Sequence, residues 1–196
     1  MYRKQMIFQK IFCVIALVAS VVVFIYSLGI MTDLFDCLYS TMMDPTDIDS
    51  TWVSGSQVYY YMQGFNRSFL SYSIVLILLA CLLFITNTDK RRKYYIANYV
   101  SIGLFSIADL YVVFWGHSQI QYYKSLWKQI NFEELKDFAE TFNTAYTEST
   151  FWFDIHYLVF GLLIVACGLL IYNIFWKRSL MKEEDALIKQ GKQEEA

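Results

Sequence analysis

A single acidic residue, Asp109, interrupts a long apolar stretch of the sequence, residues 96–116. A carboxyl group in such a stretch can bind and release a proton, or bind a cation, when it faces the interior of a membrane protein. It can equally form a structural hydrogen bond to a serine, tyrosine or histidine of a neighbouring helix. Asn98 and Ser101 share its predicted helix face, and Asp154 opens another apolar stretch. These four residues are therefore the intramembrane polar candidates.

The two histidines, His117 and His156, lie near the ends of two successive apolar stretches. Two imidazoles can ligate one haem iron from opposite sides, or share a metal ion with carboxylates such as Asp154 and Glu148. However, side chains two residues apart point to different faces of a helix, which separates Asp154 from His156. Histidines at a membrane surface are also common without any ligand. We expect no cofactor and keep a haem or metal redox site as an alternative.

Motifs for enzymatic catalysis are missing from the sequence. There is no phosphate-binding glycine loop, and neither histidine has a serine, cysteine or aspartate partner at the spacing of a catalytic motif. The basic turn at residues 90–93 lies beside apolar stretches, so membrane topology explains it without nucleic acid. We therefore predict a protein that is not an enzyme and does not bind nucleic acid.

The composition indicates a membrane protein. Apolar residues make up 57% of the 196 residues and charged residues only 17%, whereas about a quarter is charged in soluble domains. The apolar residues are concentrated in four stretches, residues 11–31, 69–86, 96–116 and 155–176. Each is long enough to cross a hydrocarbon layer of about 30 Å as a helix. We predict an all-α protein with a single membrane domain, residues 1–196.

The basic residues predict the orientation of these helices. Twelve of the sixteen Lys and Arg residues lie in residues 1–10, 87–95 and 177–196. Because basic residues close to the membrane are retained on the cytoplasmic side, both termini should be cytoplasmic. Residues 32–68 and 117–150 then form outer loops, and the expected location is the plasma membrane.

Small residues at intervals of seven predict how the helices pack. Helices associate in lipid through small side chains and hydrogen bonds, and residues seven apart lie on nearly the same face. We therefore predict an antiparallel four-helix bundle with these residues directed inward. They are Ser20 and Ser27 in the first helix, Ser73 and Ala80 in the second, and Gly161 and Gly168 in the fourth.

The outer loops are rich in aromatic residues. In residues 117–150, apolar side chains recur at helical spacing on both sides of Asn131 and Glu134, which form a capping-box pattern and predict a helical hairpin. The run VYYYMQGF at residues 58–65 is compatible with an extended segment, and the charged tail from Met181 with a fraying helix. Aromatic side chains either anchor a partner protein or pack the two loops together. The candidates are Trp52, Tyr60, Trp127 and Phe138.

Three stretches resemble a known group of proteins: FNR at residues 65–67, LLFITNTDKRRKYYIANY at 82–99 and TESTFWFDIHYLVFGLL at 147–163. With the four-helix layout, they are similar to uncharacterised four-helix integral membrane proteins of Gram-positive gut bacteria, of the Firmicutes type. The resemblance covers most of the chain. It implies a bacterial plasma-membrane protein, associated with sugar-type ABC importers, and it transfers no catalytic residue.

Three hypotheses of function follow. The first is an accessory or scaffold protein whose outer surface binds a membrane or extracytoplasmic protein, such as an ABC transporter. The second is a small proton- or cation-coupled transporter or channel that uses Asp109. The third is a haem or metal redox protein that uses His117 and His156.

Overall fold

The computed structural model describes residues 2–33, 54–55, 57–87, 95–142 and 148–194. Every element of regular secondary structure in these ranges is helical. The helices are α1 (Tyr2–Asp33), α2 (Val58–Asn87), α3 (Tyr95–Trp127), α4 (Phe132–Phe142), α5 (Phe151–Asp154) and α6 (His156–Glu194).

Four of these helices are long enough and apolar enough to cross a membrane, which confirms that part of the sequence prediction. The spans are Lys4–Ile30, Tyr61–Thr86, Ile96–Trp127 and Phe151–Gly191. Each overlaps one of the four apolar stretches. The chain therefore has the helices of a multi-pass membrane protein.

The four long helices form a closed ring, since α1 and α3 each pack against both α2 and α6. Gln5, near the start of α1, donates a hydrogen bond to Asn173 of α6 (3.0 Å). Near the other end of α1, the Tyr26 hydroxyl donates to the carbonyl of Trp152 in α5, the single turn before α6 (2.7 Å). The two helices therefore run in opposite directions.

The bundle is apolar both inside and outside. Ala16 and Leu163 are fully buried in the core, whereas Ile107, Phe114 and Ile85 on the surface are each 71% exposed. A helix in a soluble bundle carries polar residues on its outer face. Hydrocarbon surroundings explain why these long helices do not.

The small residues predicted on α1 and α2 lie in the interior of the bundle. Ser20, Ser27, Ser73 and Ala80 are each at most 1% exposed. The hydroxyls of Ser27 and Ser73 are 3.3 Å apart and join the two helices. These side chains let the helices approach closely, as packing in lipid requires.

On α6 the glycines lie elsewhere than expected. Gly168 is exposed, and a Cβ atom added at either Gly161 or Gly168 would meet no atom within 4 Å. Both face away from the bundle, because the inward face of α6 carries larger side chains, including Leu163 and Leu170. The seven-residue spacing correctly indicated that Gly161 and Gly168 share one face of α6. That face is not the buried one.

Close packing occurs instead at two other glycines. A Cβ atom at Gly116 would lie 2.8 Å from Cζ of Phe160, and one at Gly29 would lie 2.5 Å from the Trp152 ring. Phe160 belongs to an aromatic layer with Phe69 and Tyr26, whose ring centroids are 5.8–6.5 Å apart. Gly116 therefore provides the space for this layer beside α3.

All four long helices extend further than the apolar stretches, and α1 begins at Tyr2. Residues 58–65 form the start of α2 rather than an extended segment, because Val58, Met62 and Phe65 bury one helical face. α3 continues to Trp127, and α6 continues through the charged tail to Glu194. These helix ends mix apolar and polar residues, so they lie outside the continuous apolar stretches.

A short helix follows α3 at the end of the bundle that also carries α5. Asn131 Oδ1 accepts a hydrogen bond from the Glu134 backbone N–H (3.4 Å), and its amide donates to the Glu134 carboxylate (3.2 Å). This is half of a capping box, and α4 begins at the position that the sequence predicts. Gly55, with φ +87°, packs its backbone against Gln129 and Ile130. The segment before α2 therefore contacts the turn between α3 and α4.

Candidate functional site

α3 buries a stripe of polar side chains, as its sequence predicts. Asn98, Ser101, Ser106 and Asp109 are each at most 9% exposed. The Ser101 hydroxyl donates to the carbonyl of Ala97, one turn earlier (2.8 Å). Serines in helices commonly satisfy their hydroxyl in this way. The other members of the stripe are not all satisfied.

Asp109 is the one ionisable residue of these four. It is fully buried, and neither carboxyl oxygen has a hydrogen-bonding partner among the described residues. It lies about 20 Å along α3 from Ile96 and about 27 Å from Trp127, at 1.5 Å per residue. Asp109 therefore lies well inside α3, far from either end of the helix.

Two polar groups accompany Asp109. Ser106, one turn before it on α3, has a buried hydroxyl with no hydrogen-bonding partner within the described structure. The Cys167 thiol of α6 is close enough to interact with both groups, although it lies outside hydrogen-bonding geometry with their oxygens. The site therefore holds three unpaired oxygens and one thiol between α3 and α6.

This geometry bears on the structural alternative for Asp109. A structural acid would be expected to bond a serine, tyrosine or histidine of another helix, and no such bond is formed within the described part of the chain. An unpaired carboxylate in an apolar interior is costly, whereas the protonated carboxyl is far less so. Asp109 therefore has the surroundings of a group that holds a proton or a cation.

The two histidines meet at the end of the bundle where α3 and α6 face α5. His117 Nδ1 and His156 Nε2 are 2.9 Å apart, and His156 Nδ1 contacts the carbonyl oxygen of Phe153. A carbonyl oxygen only accepts, so His156 carries its proton on Nδ1 and accepts at Nε2 from Nδ1–H of His117. His156 is fully buried, whereas His117 is exposed.

This pairing does not suit the alternative of a haem iron held between the two histidines. A metal–imidazole bond is about 2 Å, so nitrogens on opposite sides of one iron stand about 4 Å apart. The nitrogens of His117 and His156 are closer than that and bond each other directly. No group of three or more His, Cys, Asp or Glu side chains within the described ranges is arranged to hold a metal ion.

Asp154 lies outside the bundle interior. Its side chain is 47% exposed, forms an ion pair with Lys124 of α3, and accepts a hydrogen bond from the Thr150 hydroxyl (2.7 Å). It is two residues from the buried His156, and the two side chains do point in different directions. Asp154 therefore joins α3 to the α5 turn at the surface of the protein.

A cluster of four buried amides at the opposite end of the bundle was not predicted. Gln5 donates to Gln9 (2.8 Å) and to Asn173 (3.0 Å), and Gln9 donates to Asn98 (3.2 Å). All four are at most 3% exposed and they join α1, α3 and α6. The amide nitrogens of Asn98 and Asn173 have no protein partner among the described residues. The sequence signal for this cluster is Asn173, a polar residue inside the apolar stretch at residues 155–176.

The predicted partner-binding aromatics are only partly visible. Trp127 is 1% exposed, and its ring contacts Phe132 of α4 and Phe153 of α5, so it packs the end of α3 against these two helices. Trp52 lies outside the described residues, as do the side chains of Tyr60 and Phe138. The sequence allowed Trp127 either to anchor a partner protein or to pack parts of this chain together, and its burial agrees with packing.

One ion pair ties α4 to the chain before α5. Lys136 bonds Glu148, and the side chains are 66% and 51% exposed. The Glu148 carboxylate raises the pKa of Lys136 above its ordinary value, because it bonds and attracts the charged ammonium group. At this exposure the pair orients α4 but contributes little to stability.

Comparison of the chain with protein families, with curated proteins and with solved structures finds no match in any of the three.

Proposed function

We propose that this chain is a small proton-translocating membrane protein in which Asp109 binds and releases the translocated proton. The observation that supports this most is the complete burial of Asp109 without a hydrogen-bonding partner among the described residues. Intramembrane acids facing a bundle interior commonly belong to ion or proton pathways. The amide nitrogens of Asn98 and Asn173, which have no partner among the described residues, extend the polar stripe toward one end of the bundle.

The orientation belongs to this proposal. Both termini are placed in the cytoplasm and the membrane is the plasma membrane, because most basic residues flank the ends of α1, α2, α3 and α6 that lie on one side. The amide cluster then lies near the cytoplasmic end, and the His117–His156 pair lies toward the outer end. α4 and the end of α3 form a helical hairpin outside the membrane.

Proton flux into vesicles tests this proposal. The purified full chain is reconstituted with a pH-sensitive dye inside, in Na⁺-free buffer, and an inside-negative potential is imposed with K⁺ and valinomycin. Wild-type vesicles should acidify faster than protein-free vesicles. Asp109→Asn should remove the difference, because the amide has a similar shape but does not bind a proton in this range.

The matched control is Asp154→Asn, which removes the exposed carboxylate at the surface of the bundle. It should leave the flux at the wild-type rate. If wild-type vesicles acidify no faster than protein-free vesicles, or if Asp109→Asn conducts like the wild type, the proposal is refuted.

A second proposal is the accessory role, in which the outer surface binds a membrane or extracytoplasmic partner protein such as a transporter. Its support is a set of exposed aromatic residues at the outer ends of three helices: Tyr61 (58%), Tyr122 (56%) and Phe151 (55%). Exposed aromatic residues are typical anchors of interfaces, and also of lipid headgroup contacts. Co-purification from native membranes distinguishes the two. A partner should be lost on Tyr122→Ser and retained on Ile107→Ala, and a chain that is recovered alone contradicts this role.

A further inference from the structure

Ser106 differs from six other helical serines in how its hydroxyl is bonded. Six serines donate to a carbonyl three or four residues earlier: Ser20, Ser27, Ser71, Ser73, Ser101 and Ser125. The Ser106 hydroxyl forms no bond of this kind within the described structure, although the residue is buried, with only 9% of its surface exposed. Its oxygen is therefore available to another group in the interior.

We propose that Ser106 and Asp109 form a binding site for Na⁺, which exchanges with the proton on Asp109. This inference rests on the proposed role of Asp109. The site offers three buried oxygens one helical turn apart, two from the carboxylate and one from the hydroxyl. Oxygen atoms are the ligands that hard cations prefer.

Charge balance selects a monovalent ion. Bound Na⁺ neutralises the Asp109 carboxylate, whereas a divalent ion would leave a net positive charge in an apolar interior, at high cost. A proton satisfies the charge but leaves the Ser106 oxygen unpaired. Na⁺ can contact all three oxygens, so it makes use of a hydroxyl that the proton does not need.

The charged and titratable groups around the site do not compete for this role. From α6 the facing group is Cys167, a thiol. From α2, Tyr72 turns its ring to Tyr111 and Trp115 of α3 instead. Beyond these, α5 presents Asp154, which is paired with Lys124 about 22 Å further along α3. His117, about 12 Å along α3 from Asp109, bonds His156.

Binding is measured as thermal stabilisation of the purified full chain in detergent. NaCl replaces choline chloride at constant ionic strength, at a pH high enough to deprotonate Asp109. Bound Na⁺ stabilises the folded state by mass action, so the melting temperature should rise with NaCl. Each bound Na⁺ displaces one proton from the carboxyl group, so adding NaCl at lower pH should acidify a weakly buffered sample.

The variants separate the ligands. Ser106→Ala should raise the half-maximal Na⁺ concentration about tenfold, the loss expected for one contact to a charged group. Cys167→Ser should lower it, since it places a hydroxyl oxygen where the thiol now lies. The matched control is Ser101→Ala, because the Ser101 hydroxyl is already bonded to Ala97. It should leave the Na⁺ dependence unchanged.

Equal melting temperatures in NaCl and choline chloride, or a Na⁺ effect that Ser106→Ala leaves unchanged, would refute the Na⁺ site. Proton flux that persists in Na⁺-free vesicles would then leave the proposed function of Asp109 standing. Loss of flux together with a retained Na⁺ effect would refute the function and not the cation site.

Discussion

Two glycines of α3 should respond to the same substitution with opposite signs. An alanine Cβ at Gly116 would lie 2.8 Å from Phe160 Cζ and 3.3 Å from its Cε2. Phe160 has little room to move, since it is 4% exposed and packs edge-on against Tyr26 and Phe69. Overpacking a core of this kind costs about 1–3 kcal/mol. Gly116→Ala also gains about 0.8–1.0 kcal/mol of helix propensity, so its net effect should be to lower the free energy of unfolding by up to about 2 kcal/mol.

Gly103→Ala provides the matched comparison. A Cβ atom at Gly103 would meet no atom within 4 Å, so the substitution adds no clash. Alanine is favoured over glycine in a helix by about 0.8–1.0 kcal/mol. This variant should be more stable than the wild type. Because Gly116→Ala gains the same helix propensity, the two variants should differ by the cost of overpacking alone, about 1–3 kcal/mol.

The assay is reversible unfolding in mixed micelles, followed by tryptophan fluorescence. Both variants are measured beside the wild type under the same detergent conditions. If Gly116→Ala proves as stable as Gly103→Ala, then α3 does not approach the aromatic layer closely, and the packing around the site is not as described.

Three further predictions concern polar contacts. Glu148→Gln should lower the pKa of Lys136 toward its ordinary value, which NMR resonances of methylated lysines report. Because Glu148 raises that pKa, the small stabilising effect of the pair is present at neutral pH. It is lost as the pH rises through the pKa of Lys136 in the folded protein. Gln9→Leu should lower the free energy of unfolding by about 1–2 kcal/mol, because the leucine cannot bond Asn98 or Gln5, and unchanged stability would contradict the amide cluster. Asp154→Asn should change it by less than about 1 kcal/mol, with a difference that fades in high salt.

The sequence predicted the features that depend on hydrocarbon thickness. Four apolar stretches gave the four long helices, and the one acid inside them proved to be buried. The capping pattern of Asn131 and Glu134 correctly marked the start of α4. Each of these signals is local in the chain and has a direct physical cause.

Features that depend on contacts between helices were not predictable in the same way. The glycines at 161 and 168 share a face, but spacing alone does not show which face of α6 meets its neighbours. The direct bond between His117 and His156 depends on the register of α3 against α6. Gln5 and Gln9 precede the first apolar stretch, among basic residues typical of a solvated segment, so the local sequence carries no signal of their burial.

The protonation of Asp109 can be observed directly by infrared difference spectroscopy of the reconstituted protein during a pH titration. A protonated carboxyl in an apolar site gives a carbonyl stretching band, which should appear in the wild type and in Asp154→Asn. It should be missing from Asp109→Asn. Spectra that are identical for the wild type and Asp109→Asn would contradict the account, because Asp109 would then neither take up nor release a proton.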